Sequence, residues 1–93
     1  MSAYIIVLDL KRRRKSYTEL DERLARFDAC WQVRDDLWMV ISECSSAEMH
    51  EQLRPHLGTE DKLFIARTES DSSWSGYGQR VSTWLSQNLS NRI

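Results

Sequence analysis

Apolar and polar residues follow two rhythms along this chain, and each rhythm predicts its own kind of element. Tyr4 to Leu10 is apolar on both faces except at Asp9, the pattern of a strand in the middle of a sheet covered on both sides. Helical spacing follows. Tyr17, Leu20, Leu24 and Phe27 form one apolar stripe on a helix from about Ser16 to Phe27, with Ser16 as its cap and Glu19 completing a capping box. Ala29 to Val33 and Leu37 to Glu43 are short runs rich in Trp and Val, joined by Arg34-Asp35-Asp36, and together they predict a β-hairpin. Ser45-Ser46-Ala47-Glu48 is a second S-x-x-E start signal. The helix it opens carries Met49, Leu53 and Leu57 on one face, and Pro55 should end or kink it by removing an amide donor. After a turn at Gly58 to Asp61, Lys62 to Thr68 reads as a fourth strand. Glu69 to Ser75 is polar and loop-like, and Tyr77, Val81, Trp84, Leu85 and Leu89 share one face of a last helix.

The order β-α-β-β-α-β, with right-handed crossovers around a hairpin, predicts an α+β fold. It is a ferredoxin-like βαββαβ sandwich with an additional C-terminal helix. Its 93 residues form one domain, residues 1–93, because halves would be too small to fold. In that fold the first and third strands are central, which agrees with the two-faced apolarity of Ile5 to Leu8. Two helices cover one sheet face. The other face carries Ile5, Val7 and Asp9 or their neighbours, and needs the C-terminal helix or a second protomer to cover it.

A hydrophobic fraction of 41% and four Trp suit a globular domain, and a net charge of −1 implies no acidic partner overall. Local clustering changes that picture, because five of the thirteen Lys and Arg stand together at positions 11 to 15. No apolar run approaches the roughly 18–20 residues of a membrane span. The positive charges follow the first apolar stretch instead of preceding it, unlike a secretory signal. With the hairpin turn centred on Asp35–Asp36, Cys30 faces Ile41 and not Cys44. A disulfide would therefore need a register shift, and reduced thiols in the cytoplasm are the expectation. Cys30, Cys44, His50 and His56 lack the paired spacing of a zinc site.

The candidate chemistry lies in YIIVLDLKRRRK. Asp9 ends the first strand, where its neighbours cannot swing away, and a hard carboxylate suits Mg²⁺ or Mn²⁺. The competing reading is a strand-end Asp that caps the following loop or pairs with one of its arginines. One Asp is too few for a metal nuclease, although a symmetric dimer would bring two copies together. Lys11, Arg12, Arg13, Arg14 and Lys15 repel one another and are expected in a mobile, solvated loop, where a phosphate backbone would gain from them. Trp31, Trp38, Trp74 and Trp84 offer stacking surfaces for bases, but Trp at these spacings more often packs in a core or interface. Burial is expected for Trp84, and core or interface for Trp38. Ser75-Gly76-Tyr77-Gly78 lacks the flanks of a phosphate loop, and both His are expected at the surface.

The strand-end Asp9-Leu10 and its arginine-rich loop are joined by Tyr17, Ala25-Arg26-Phe27, Cys30-Trp31-Gln32-Val33, Leu37-Trp38-Met39-Val40, Ser46-Ala47-Glu48 and Asp61-Lys62-Leu63-Phe64-Ile65. Over about residues 3–68 this pattern resembles the CRISPR-associated Cas-two family, and more closely a related group of small bacterial proteins of unassigned role. The resemblance implies a ferredoxin-like homodimer in which the Asp matching Asp9 faces its symmetry mate and holds a divalent metal. Members of the family are described as metal-dependent nucleases or as non-catalytic bridges that hold DNA for an integrase, and related toxins cut RNA. Those dimers use a short extra strand after the fourth; here Glu69 to Ser75 leads into an amphipathic helix. The combined expectation is a cytoplasmic dimer that contacts DNA or RNA through Lys11 to Lys15, with weak metal-dependent endonuclease activity at Asp9 (Mg²⁺ or Mn²⁺). The alternative is a non-catalytic subunit with a protein partner, in phage defence or a toxin-antitoxin pair.

Overall fold

In the computed structural model, which describes residues 1–68 and 72–89, the chain forms a small α+β fold: one four-stranded antiparallel sheet and three α-helices. Strand β1 is Ser2–Asp9, helix α1 Thr18–Leu24, β2 Ala29–Arg34, β3 Leu37–Ser42, α2 Ser46–Leu53, β4 Lys62–Arg67 and α3 Gln79–Asn88. The sheet order is β2-β3-β1-β4, so β1 and β3 are the inner strands. This is consistent with the sandwich predicted from the element order. Residues Glu69 to Asp71 of the expected loop lie outside the described residues.

The inner position of β1 follows from its side chains. Tyr4, Ile6 and Leu8 point to one face and are buried with Leu20, Leu24, Met49, Leu53, Trp38 and Val40 under α1 and α2. Ala3, on the opposite face, is buried with Met39, Ile41, Leu85 and Leu89 under α3. The C-terminal helix of the same chain therefore covers part of the second face. It stops short of one strip, where Val7 is 40% and Phe64 62% exposed. Among the described residues no helix is long and apolar enough to cross a membrane.

Local chemistry sets the element ends. Ser45 caps α2: its hydroxyl accepts from Glu48 N–H at 3.1 Å, and the Glu48 carboxylate accepts from Ser45 N–H at 2.8 Å. Pro55 ends the α-helix as expected, and Arg54–His56 tightens into a 3-10 turn. Helix α1 departs from expectation. Ser16 makes no cap; it lies inside a 3-10 turn, Arg14–Tyr17, and the α-helix starts at Thr18. The hairpin register also shifts. A bulge between Gln32 and Arg34 places Cys30 opposite Val40 instead of Ile41. Both cysteines are free and half-buried, and burial pushes the Cys30 thiol pKa up. Tyr77 precedes α3 instead of lying within it.

Candidate nucleic-acid interface

Asp9 sits at the exposed end of β1, opposite Lys62 of β4. The chain then turns into the basic run, and the two remain together. Asp9, Arg12 and Arg14 line one surface cavity of about 240 Å³ with Asp35 and Asp36 of the hairpin tip. The tip is fastened to β1 by a hydrogen bond of 2.9 Å from Leu8 N–H to the Asp36 carbonyl.

The basic run is anchored where a mobile loop was expected. Its anchor is Asp61, in the turn before β4. Oδ1 of Asp61 accepts from Lys11 N–H at 2.9 Å and from the Tyr17 hydroxyl at 2.9 Å, and Oδ2 accepts from Gly58 N–H at 2.7 Å. The Tyr17 oxygen in turn accepts from Arg12 N–H at 3.1 Å. Partial burial pushes the Asp61 pKa up, but these three hydrogen bonds and the nearby Arg12 charge outweigh it. The carboxyl therefore titrates below its ordinary value. The Arg12 guanidinium lies over the Tyr17 ring, 4.9 Å from its centre.

The five cations are not equivalent. Lys11, Arg12, Arg13 and Lys15 are exposed, whereas Arg14 is folded inward with a side chain only 20% accessible. One guanidinium nitrogen of Arg14 bonds to Asp21 of α1, while Nε and Nη1 are buried without a partner. Unsatisfied buried donors are uncommon and costly. A fork with two spare nitrogen donors is well suited to an oxyanion. The cavity is of mixed charge, because three carboxylates line it beside two guanidiniums. Asp36 is partly offset by Arg34 at 3.6 Å, a pair too exposed to contribute more than about 1 kcal/mol.

No group of three or more His, Cys, Asp and Glu among the described residues is placed to hold a metal. A metal at Asp9 would need oxygens beyond those that the described residues bring together there. His50 is exposed on α2, and His56 is half-buried with its ring 4.0 Å from Glu19.

The tryptophans separate by face. Trp38 is buried under α1 and α2, while Trp31, Trp74 and Trp84 are half-buried on the α3 side. Trp31 meets Tyr77 edge-on at 5.3 Å and Trp84 at a tilt, at 5.9 Å. Trp31, Trp74 and Tyr77, together with the sheet, enclose a second cavity of about 260 Å³. Sequence reasoning singled out Asp9 and the basic run but missed Asp61 and Asp21 as their supports. Asp61 is 50 residues from its Lys11 partner, and no local spacing signals such a contact. No protein-family model, curated protein or solved structure matches the chain.

Proposed function

We propose that this chain is a cytoplasmic nucleic-acid-binding protein of ferredoxin-like architecture, with α3 added to the sandwich and a likeness to the Cas-two group. In this reading the exposed Lys11, Arg12, Arg13 and Lys15 engage successive phosphates, and the spare N–H groups of Arg14 receive one phosphate oxygen in the cavity beside Asp9. The observation that carries the reading is the anchored turn: the Asp61 and Tyr17 bonds fix the cations beside Asp9 instead of leaving them to spread in solvent. Preorganised cations lose less entropy on binding a polyanion. The strip left bare by α3, at Val7 and Phe64, supports a homodimer as part of the same reading. Endonuclease activity is its furthest extension, with Asp9 as one ligand of Mg²⁺ or Mn²⁺. The described residues of one chain do not by themselves complete such a site.

Fluorescence anisotropy with a labelled oligonucleotide at two salt concentrations tests the binding. Each single-strand phosphate contact contributes roughly −0.7 to the slope of log K against log salt. Four such contacts then weaken binding roughly 50-fold between 50 and 200 mM salt. Binding that ignores salt, or none at all, would end the proposal. For the nuclease extension, Asp9→Asn should abolish Mn²⁺ binding and cleavage together, and unchanged behaviour removes Asp9 from the chemistry. A second reading, a non-catalytic regulatory subunit, is favoured by the exposed Phe64 and Val7, which would then serve a protein partner.

A further inference from the structure

The cavity under α3 plays no part in the phosphate-binding reading, and its walls differ from those around Asp9. Of about 260 Å³, it has Trp31, Trp74 and Tyr77 as aromatic walls and Ile5 and Leu37 of the sheet as part of its floor. Among the described residues no charged side chain lines it. Ser72 does line it, and the Ser72 hydroxyl is buried with no hydrogen-bond partner. Buried hydroxyls are ordinarily paired, and apolar interiors ordinarily close to high density. An aromatic slot with one spare polar group at its wall departs from both rules. Its volume falls just below the range of drug-sized pockets, room for a single ring system. The described part of the lining, being uncharged, gives a phosphate or an ionised ligand no partner.

The position of the slot narrows the occupant further. Leu37 forms part of its floor, and the two preceding residues, Asp35 and Asp36, line the cavity of Asp9, Arg12 and Arg14. The hairpin tip thus walls two adjoining spaces, one cationic and acidic, the other aromatic and neutral. We propose that the aromatic cavity takes one unpaired nucleobase of a strand whose phosphates run along the basic turn. This inference rests on the nucleic-acid reading. Stacking on Trp74 and Tyr77 supplies the contact, and the Ser72 hydroxyl bonds to an edge of the base. Trp31 is held edge-on by Tyr77, so the wall is fixed before the base arrives. A paired base is stacked within its duplex and cannot enter, which makes the pocket selective for single strands.

The test compares two labelled single strands of about ten nucleotides at equal salt, one bearing bases and one abasic throughout, against the whole chain. The base-bearing strand is expected to bind more tightly than the abasic one. Trp74→Ala should remove about tenfold of that preference and leave abasic binding unchanged. Ser72→Ala should remove a few-fold. Binding of a duplex of the same sequence, whose bases are paired and stacked, should be unchanged by Trp74→Ala. Equal, salt-dependent binding of both strands by the unaltered chain overturns the base pocket and leaves the phosphate reading standing. Loss of affinity for both strands in Trp74→Ala also overturns it. Failure of both strands to bind even at low salt overturns the phosphate reading itself, and the pocket with it. Circular dichroism establishes that each variant is folded, and if Trp74→Ala is not, Ser72→Ala and the unaltered chain decide.

Discussion

The two faces of the sheet are built differently. Under α1 and α2, Ile6, Leu20, Leu24, Val40, Met49 and Leu53 are sealed completely, and of the described residues in this core cluster Trp38 alone brings a buried polar atom without a partner. Under α3 the aromatic residues are half-buried, a space of about 260 Å³ remains, and Val7 and Phe64 stay in contact with water. The first face carries stability, because close packing there leaves no volume to lose. The second face gives up packing density for recesses and exposed rings, which is what recognition of another molecule needs.

The largest expected effect breaks this contrast directly. Leu53→Ala should cost about 2–5 kcal/mol, since a sealed site cannot collapse around the void. Leu85→Ala, beside an existing cavity, should cost no more than about 2 kcal/mol, because fewer neighbours are lost. Urea denaturation measures both, and equal losses would erase the distinction between the faces. Next comes the support of the basic turn. Asp61→Ala frees three donors and should cost about 1–3 kcal/mol. The sign with pH follows from the depressed pKa. The stabilisation is present above the ordinary carboxylate value, about pH 4, and disappears as pH falls through the lower folded value. Asp61→Asn should therefore flatten the acid limb of a stability–pH curve, and an unchanged limb would assign acid sensitivity elsewhere.

Charge removal tests the functional side. Lys11, Arg13 and Lys15 replaced together by Gln should weaken oligonucleotide binding about tenfold at low salt and reduce the salt slope by roughly 2, with thermal stability unaltered. Retained affinity would place the polyanion elsewhere. The smallest effect sharpens the first face. Ser45→Ala removes half of the α2 capping box and should cost about 1 kcal/mol. Because Trp38 alone among the tryptophans lies on that side, a variant keeping only Trp38 should report the loosening by its fluorescence, and one keeping only Trp84 should not.

Much of the architecture was legible in the sequence because local rules and tertiary packing agree there. The Ser45–Glu48 box, the Pro55 stop and the stripe of Leu20 and Leu24 each need only a few neighbouring residues. The start of α1 was not legible. Tyr17 is buried, with its hydroxyl on distant Asp61, and that bond pulls residues 14 to 17 into a 3-10 turn before the helix begins. The hairpin was visible, but its bulge was not, and a single inserted residue moved Cys30 by one partner. Asp9 and the cations were conspicuous by type, while their supports at Asp21 and Asp61 are ordinary acids made special only by folding. The aromatic slot could not be foreseen, since it is a defect of packing, and composition does not encode where side chains fail to meet.

Strand β4 stands at one side of the sheet, with no further strand beside it among the described residues. An outer strand of this kind can template another strand, and Phe64 shows most of its ring to water. Lys62 and Arg67, exposed at the two ends of the strand, act as gatekeepers against such stacking. Neutralising both should turn a clear solution into one that scatters light as its concentration rises. Handling at high ionic strength, which screens the same two charges, should push it the same way.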